Sequence, residues 1–374
     1  MSAVWTLIDL LAGRRDPAAL NAREWEGVIS VARAEVLAAT LAERLADAAL
    51  PGDIAALFAD LRCAAKVQQR QALWEAEMAR RALEPAGVRF VLLKGTAYAA
   101  AELPCAAGRQ IGDLDIMVAR DDLDRAEAAL LAAGWEWVKA DPYDDAYYRT
   151  HMHELPPLIH QDRDRMIDVH HTILPLTHRA KPDAAGMLAR ATEILPGTGR
   201  WRGGAVTEGA GAEEFNASTM RDADSDPSDP CGATSPFRGG FLRLSPADMI
   251  IHCAAHCMAD GDLAGGLRNL WDFHLLAEHA ERSSVQAAAE RHGLGPAVAR
   301  AVRLADALYG ERSLTLTTAD RLFLRALTAR DDWGRPTRPF TRLAFYIRSH
   351  WLRMPPLMLA RHLWVKWRRG SNGP

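Results

Sequence analysis

The alternation of aliphatic residues and carboxylates over residues 113–118 constrains the fold more than any other feature of this chain. Leu114 and Ile116 alternate with Asp113 and Asp115. Because side chains in a strand point to opposite faces with a period of two, we predict a strand with both aspartates on one face and the aliphatic side chains in the core. Two neighbouring carboxylates repel each other, and a divalent cation between them removes that repulsion. The alternative interpretation is a solvated strand edge that carries surface aspartates.

Asp168 supplies a third carboxylate on another strand-like segment. Three carboxylates on adjacent strands suit a site for Mg²⁺ or Mn²⁺ in nucleotidyl or phosphoryl transfer. We predict that Asp113 and Asp115 bind the metal, and that Asp168 is either a third ligand or the base that takes a proton from an acceptor hydroxyl. His170 shares the face of Asp168 and is predicted to orient a metal-bound water, to contact nucleotide phosphate or to hydrogen-bond Asp168.

A glycine-containing turn precedes the aspartates. Lys94, Gly95 and Thr96 lie between a predicted strand over residues 88–93 and a predicted helix over residues 97–103. Backbone N–H groups at the start of a helix bind phosphate, and a glycine there allows close approach. We predict that the lysine neutralises triphosphate charge and that the threonine caps the helix and donates to a phosphate oxygen. A plain capped turn with an exposed lysine is the alternative.

Two residues just before the aspartate pair complete the predicted nucleotide site. Gly112 has no side chain and therefore allows a ligand to approach the backbone closely. Arg109 is predicted either to reach a phosphate or to pair with one of the two aspartates.

These motifs together resemble the uncharacterised nucleotidyltransferase family of the polymerase-β-like superfamily. The resemblance rests on Leu-Lys-Gly at residues 93–95, on Arg-x-x-Gly-Asp-x-Asp and three apolar residues at 109–118, and on Ile-Asp-Val-His at 167–170. It covers roughly residues 25–350. It implies an α+β protein, in which a polymerase-β-like core of a small mixed sheet with helices is flanked by N- and C-terminal helical regions. It also implies transfer of a nucleoside monophosphate from a nucleoside triphosphate. The resemblance gives no information about the acceptor molecule.

The family also carries a later helix with two histidines and a downstream aspartate. His252 and His256 match the histidines, and Asp272 matches the aspartate. Their spacing, shared by two nearby cysteines at positions 253 and 257, would place possible zinc ligands on one helical side, but no second ligand pair accompanies them. Partly buried histidines that pair with Asp272 or Asp260 are the favoured interpretation.

Changes in composition and residue pattern along the chain predict four regions. Residues 1–85 form a helical region interrupted at Pro51-Gly52, residues 86–200 the α/β core, residues 201–243 a flexible low-complexity insertion and residues 244–374 a second helical region. Within the core, residues 147–168 are predicted to be two extended pieces. In the last region, Ser245 is predicted to cap a helix that starts with a proline.

Composition limits the choice of partners. The net charge of −3 argues against a dedicated nucleic-acid-binding protein. Residues 334–374, however, contain nine basic residues, no acidic residue and interleaved tryptophans. Two interpretations follow: this segment contacts RNA or an anionic membrane, or it forms a final helix that packs on the protein. The five scattered cysteines favour a cytoplasmic protein without a disulfide framework.

The sequence therefore predicts a Mg²⁺-dependent nucleotidyltransferase that releases pyrophosphate. Two other functions stay open: a regulatory module that binds nucleotide without turnover, and a toxin-like enzyme that modifies tRNA. The residues do not indicate the acceptor, the preferred base of the triphosphate or the oligomeric state.

Overall fold

The computed structural model describes residues 2–194, 240–260, 263–278 and 280–353, together with residues 359 and 364. Most of the segment predicted to be a flexible insertion therefore lies outside the described residues. None of the described helices is both long enough and apolar enough to cross a membrane.

The chain begins with four helices: α1 (Ala3–Leu11), α2 (Ala22–Ala34), α3 (Ala38–Arg44) and α4 (Gly52–Leu83). The side chain of Asn21 accepts a hydrogen bond from the backbone of Glu24, and the Glu24 side chain accepts one from Asn21, which is a complete capping box for α2. Trp25 packs edge-to-face on Phe58 of α4, with ring centroids 5.8 Å apart. The predicted interruption at Pro51-Gly52 is confirmed, because α4 begins there.

A mixed seven-stranded sheet follows, in the order β3-β4-β5-β2-β1-β7-β6. Its strands are β1 (Phe90–Leu92), β2 (Leu114–Val118), β3 (Trp135–Trp137), β4 (Leu158–His160), β5 (Met166–His170), β6 (Thr192–Glu193) and β7 (Leu242–Arg243). Strand β2 is central, antiparallel to β1 and parallel to β5. Four helices connect the strands: α5 (Lys94–Ala100), α6 (Leu123–Ala132), α7 (Pro142–His151) and α8 (Ala184–Ala189). The α+β class is confirmed.

The prediction of two extended pieces over residues 147–168 is wrong in its first half. Helix α7 continues to His151, because Asp141 caps it by accepting hydrogen bonds from the backbone N–H groups of residues 143 and 144, and Pro142 fits its first turn. The second half is confirmed as the hairpin of β4 and β5. His151 therefore lies on a helix and not on an extended segment.

Helices form the rest of the described chain: α9 (Pro246–Ala254), α10 (Gly266–Glu278), α11 (Arg282–Arg291), α12 (Gly295–Leu308), α13 (Thr318–Leu327) and α14 (Pro339–Arg353). The predicted start of α9 is confirmed, since the Ser245 side chain accepts a hydrogen bond from the backbone N–H of Asp248. One π-helical segment, Ala255–Asp260, follows α9 directly. Buried apolar residues form one cluster from α1 through the sheet to α14. The predicted domain boundaries stay predictions.

The basic C-terminal region packs on the protein through α14. Phe345 meets Phe323 of α13 edge-to-face at 4.9 Å, and the guanidinium of Arg348 lies 4.9 Å from the Phe323 ring. Burial lowers the pKa of Arg348 to about 10. Phe340 and Trp351 on the same helix are exposed. These contacts match a final helix packed on the protein, and contact with RNA or a membrane stays a prediction.

Candidate active site

Strand pairing brings the three predicted carboxylates together. In the parallel pair of β2 and β5, Asp115 lies opposite Asp168. Asp113 lies two residues before Asp115, and successive side chains in extended backbone alternate between faces, so the pair shares a direction. One carboxylate oxygen from each of the three residues lies within 4.8 Å of the others. This group of three is called the carboxylate trio below.

The two aspartates of the first motif differ in exposure. Strand β2 is buried along its whole length, and Asp115 is 4% exposed, whereas Asp113 lies before the strand and is exposed. The sequence predicted a common face for both residues but not this difference. It arises because β2 lies in the middle of the sheet and contacts α4 and α5, whereas Asp113 precedes the strand.

Asp115 is held by two basic side chains. Its Oδ1 accepts a hydrogen bond from Lys94 Nζ at 2.6 Å and lies 3.0 Å from His170 Nε2. Burial alone would raise the pKa of Asp115, but the charge of Lys94 and the hydrogen bond to His170 lower it overall. Burial acts to lower the pKa of His170, and the bond to Asp115 together with the charge of Glu154 raises it. The contact of His170 is thus with Asp115 and not, as one alternative had it, with Asp168.

The negative charges of Asp113 and Asp168 are less well neutralised by neighbouring groups than that of Asp115. Burial, followed by the charges of Glu154 and Asp115, raises the pKa of Asp168 to about 7. Its Oδ1 is buried and has no hydrogen-bond partner among the described residues. The charge of Asp115, and then burial, raises the pKa of Asp113. Since polar groups buried in proteins are normally hydrogen-bonded, this excess of negative charge suits a divalent cation.

The turn at Lys94 differs from its prediction. Helix α5 begins at Lys94, three residues earlier than predicted, and Lys94 has a φ of 46°, in the left-handed region that few side chains adopt. Its N-cap is Leu93, so the prediction that Thr96 caps the helix is wrong. Thr96 is 1% exposed, and its buried Oγ1 has no hydrogen-bond partner within the described part of the chain. Roles of these residues toward a triphosphate stay predictions.

Gly95 makes room for another side chain of the protein. A Cβ built at this position would overlap the guanidinium of Arg109 and lie 3.2 Å from Cγ1 of Ile111. The space beside the glycine is thus occupied by Arg109, whereas a phosphate was expected there. Gly112, by contrast, faces open space, and no atom lies within 4 Å of a Cβ placed there.

Arg109 pairs with a partner from a distant helix. Its Nε donates to Oδ2 of Asp272 at 2.9 Å, and Arg268 donates to Oδ1 of the same carboxylate at 2.7 Å. The predicted pairing of Arg109 with Asp113 or Asp115 is therefore wrong. Two arginines thus donate to the carboxylate of Asp272. The pairing of His252 and His256 with Asp272 or Asp260 stays a prediction. Arg268 also donates to the backbone oxygen of Cys105 at 2.7 Å. This hydrogen bond connects α10 to the segment between α5 and β2.

The helix of His252 faces the site without forming a metal cluster. His252 is buried, and burial followed by the nearby charges of Lys94 and His170 lowers its pKa. Cys253 Sγ donates to the backbone oxygen of Asn269. Two clusters of possible metal ligands occur among the described residues, and neither includes the histidines or cysteines of this helix.

Glu154 was not among the site residues that the sequence predicted. Its Oε2 lies 3.5 Å from Nε2 of His170 and 3.5 Å from Nε2 of His153. The signal was present in the run His-Met-His-Glu at residues 151–154, but the predicted strand there gave no reason to single out the glutamate.

Comparison with known protein families places the chain in one of them. The model of an uncharacterised nucleotidyltransferase family matches residues 21–202 and 226–310, which include every residue of the carboxylate trio as well as Asp272. No curated protein matches the sequence. The chain therefore belongs to this uncharacterised nucleotidyltransferase family.

Proposed function

We propose that the chain transfers a nucleoside monophosphate from a nucleoside triphosphate to a hydroxyl or phosphate of an acceptor and releases pyrophosphate, with Mg²⁺ or Mn²⁺ bound at the carboxylate trio. The observation that carries the proposal is the pairing of Asp115 opposite Asp168, with Asp113 beside them and all three carboxylates within 4.8 Å. Membership of a nucleotidyltransferase family supports the same reaction class. A cytoplasmic location remains part of the proposal.

The residues present fit a divalent cation. The buried Oδ1 of Asp168, without a partner among the described residues, is a free oxygen ligand, and hard cations prefer such ligands. Asp113 is exposed, so an ion can reach the trio from solvent. When bound, Mg²⁺ would stabilise negative charge on the triphosphate.

The side chains of the site divide the remaining work. Asp168 accepts the proton of the attacking hydroxyl as the general base. Its pKa of about 7 is that of the metal-free site, and a cation bound at the carboxylate trio would lower it, so that the carboxylate is ionised at neutral pH. The acceptor oxygen then attacks the α-phosphorus in line with the leaving pyrophosphate. Lys94 and His170 hold the carboxylate of Asp115 in one orientation through Oδ1. Arg109, fixed by Asp272, lies over the turn at Gly95, where it can neutralise phosphate charge.

The experiment that tests the proposal identifies both product and acceptor. The purified chain is incubated with each labelled nucleoside triphosphate, Mg²⁺ and a cell extract, and mass spectrometry finds the molecules that gained a nucleotide. The matched control is Asp113→Asn, which removes one charge at an exposed position. Nucleotide transfer and pyrophosphate release by the wild type, absent in the control, support the proposal; equal turnover in both proteins contradicts it.

A regulatory module that binds nucleotide without turnover is the alternative to be separated. Calorimetry with ATP and Mg²⁺, followed by a product assay over hours on the same sample, makes the distinction. Binding without any product in the presence of extract would favour the module.

A further inference from the structure

A second group of possible metal ligands adjoins the carboxylate trio. Oε2 of Glu154 lies 3.5 Å from Nε2 of His153 and 3.5 Å from Nε2 of His170, and one ligand atom from each of the three residues lies within 4.8 Å of the others. The cluster of His153, Glu154 and His170 is called the histidine cluster below. None of its members was assigned to the metal site by the sequence.

The backbone fixes the relative positions of these residues. Glu154 forms an antiparallel β-bridge with His170 at the end of β5. In addition, the backbone N–H of His171 donates to the backbone oxygen of His153 at 2.9 Å. The side chains therefore project from two paired segments, and pairing of this kind is a rigid support for a ligand site.

The distances within the histidine cluster suit a shared ion better than direct hydrogen bonds. The separation of 3.5 Å between Glu154 and each imidazole exceeds a normal N–H···O distance. Ligand atoms about 2.0–2.2 Å from a tetrahedral ion are roughly 3.3–3.6 Å apart, which matches both separations. The cluster is also buried: His153 is 8% exposed and His170 is 1% exposed.

Both imidazoles also have unused hydrogen-bonding capacity. The Nδ1 atoms of His153 and His170 are buried and have no partner among the described residues. The proton position on the His153 ring is therefore not fixed by a bond at Nδ1. Nε2 of His170 donates to Asp115 Oδ1 at 3.0 Å, and it would release this proton when it binds a metal ion. Nε2 of each ring is the atom that faces Glu154.

We propose that His153, Glu154 and His170 bind a first-row transition-metal ion at a position separate from the ion of the carboxylate trio. Two imidazoles and one carboxylate are the donors that Zn²⁺, Fe²⁺ and Co²⁺ accept, whereas Mg²⁺ prefers oxygen ligands. Asp115 Oδ1, 3.0 Å from His170 Nε2, adjoins both positions. The inference does not rest on the proposed function, because metal binding can be measured without any turnover.

The test uses the full chain, freed of metal with a chelator. Zn²⁺ binding is measured by calorimetry in excess Mg²⁺, which occupies oxygen sites, and Co²⁺ is added separately to record its visible absorption. Nitrogen-containing sites of low coordination number give Co²⁺ a far stronger visible band than six oxygen ligands do. We expect tight Zn²⁺ binding in Mg²⁺ and a strong Co²⁺ band for the wild type.

Three variants locate the ion. Glu154→Gln keeps the size of the side chain, and His153→Ala removes one imidazole; each is expected to weaken Zn²⁺ binding at least about tenfold and to reduce the Co²⁺ band. The matched control is His151→Ala, which removes an imidazole at the end of α7, outside the cluster. The control should bind Zn²⁺ like the wild type. Thermal melting of the metal-free proteins verifies that each variant is folded.

The outcomes separate this inference from the proposed function. Unchanged Zn²⁺ affinity in both Glu154→Gln and His153→Ala overturns the inference. Complete displacement of Zn²⁺ by Mg²⁺, with binding lost only in Asp168→Asn, also overturns it, because the ion then occupies the carboxylate trio. Either result leaves nucleotidyl transfer at the trio intact. Loss of Zn²⁺ binding in Glu154→Gln, with nucleotide transfer retained, supports the histidine cluster alone.

Discussion

Two carboxylates with little solvent contact have opposite surroundings in this protein. Asp248, at the start of α9, is completely buried and receives hydrogen bonds from three side chains: Ser245 at 2.8 Å, Arg190 at 3.1 Å and His292 at 2.9 Å. Burial acts to raise the pKa of Asp248, but the bonds from His292, Arg190 and Ser245 lower it to about 2. This carboxylate is fully used by the fold.

Asp168 is the contrasting case. Its pKa is raised to about 7 by burial and by neighbouring carboxylates, and its Oδ1 has no partner among the described residues. A carboxylate that the protein itself neutralises holds segments together, whereas a buried carboxylate without a compensating partner is a candidate for binding or chemistry. Substitutions at the two carboxylates test this difference.

The largest effect is expected at the carboxylate trio. Asp113→Asn should lower the rate of pyrophosphate release at least about a thousandfold, equivalent to about 4 kcal/mol in the barrier, because a metal ligand is lost. Its melting temperature should stay close to that of the wild type, since Asp113 is exposed. Rates and melting curves of the two purified proteins provide the measurement. If Asp113→Asn were both slow and poorly folded, its low rate could come from lost structure. Asp113 would then not differ from a structural carboxylate such as Asp248.

At Asp248 we expect the reverse pattern. Asp248→Ala should lower the free energy of unfolding by about 3 kcal/mol, because the change leaves Arg190 and His292 without their common acceptor. Denaturant titration measures this loss. Activity per folded molecule should be unchanged at a temperature where the variant remains folded. A loss below about 0.5 kcal/mol would show that the network contributes little.

The pH dependence of stability should differ between the wild type and Asp168→Asn. An unfolded aspartate has a pKa of about 3.9, and Asp168 in the folded chain has one of about 7. Between these values the folded state holds the extra proton, so this group's contribution to stability falls as the pH rises through 7. Without metal, the free energy of unfolding of Asp168→Asn relative to that of the wild type should therefore increase by on the order of 2 kcal/mol from pH 5 to pH 8. Unfolding titrations at both pH values measure this gain.

A constant difference between the two proteins across that range would contradict a raised pKa at Asp168. The matched control is Asp113→Asn, whose stability can be followed over the same pH range to show how much of the change comes from the trio as a whole.

The smallest expected effect is stabilisation by the metal. At a Mg²⁺ concentration ten times the dissociation constant, binding to the folded state alone adds about 1.4 kcal/mol of stability. The gain should increase from pH 6 to pH 8, because the ion binds the ionised form of Asp168. Thermal melting with and without Mg²⁺ measures it. Asp113→Asn should show little of this gain, while His151→Ala should show all of it.

Much of the site could be predicted from local patterns in the sequence. The alternation around Asp115 identified β2, because the period of a strand is visible in one segment. Ser245, Pro246 and Asp248 identified the start of α9, since helix caps depend on a few neighbouring residues. The prediction of extended backbone failed at residues 147–151, which lie in helix α7, capped at its start by Asp141.

The sequence by itself determined which side chains are available: three aspartates on strand-forming segments, a lysine and a glycine at a turn, and the family to which they belong. Only the tertiary structure decided their partners. The register of β2 on β5 set Asp168 opposite Asp115, α10 brought Asp272 to Arg109 across 163 residues of sequence, and the bridge at Glu154 placed two imidazoles beside it. The physical reason is that a strand or cap is specified by neighbours in sequence, whereas a charge partner is specified by the packing of distant elements.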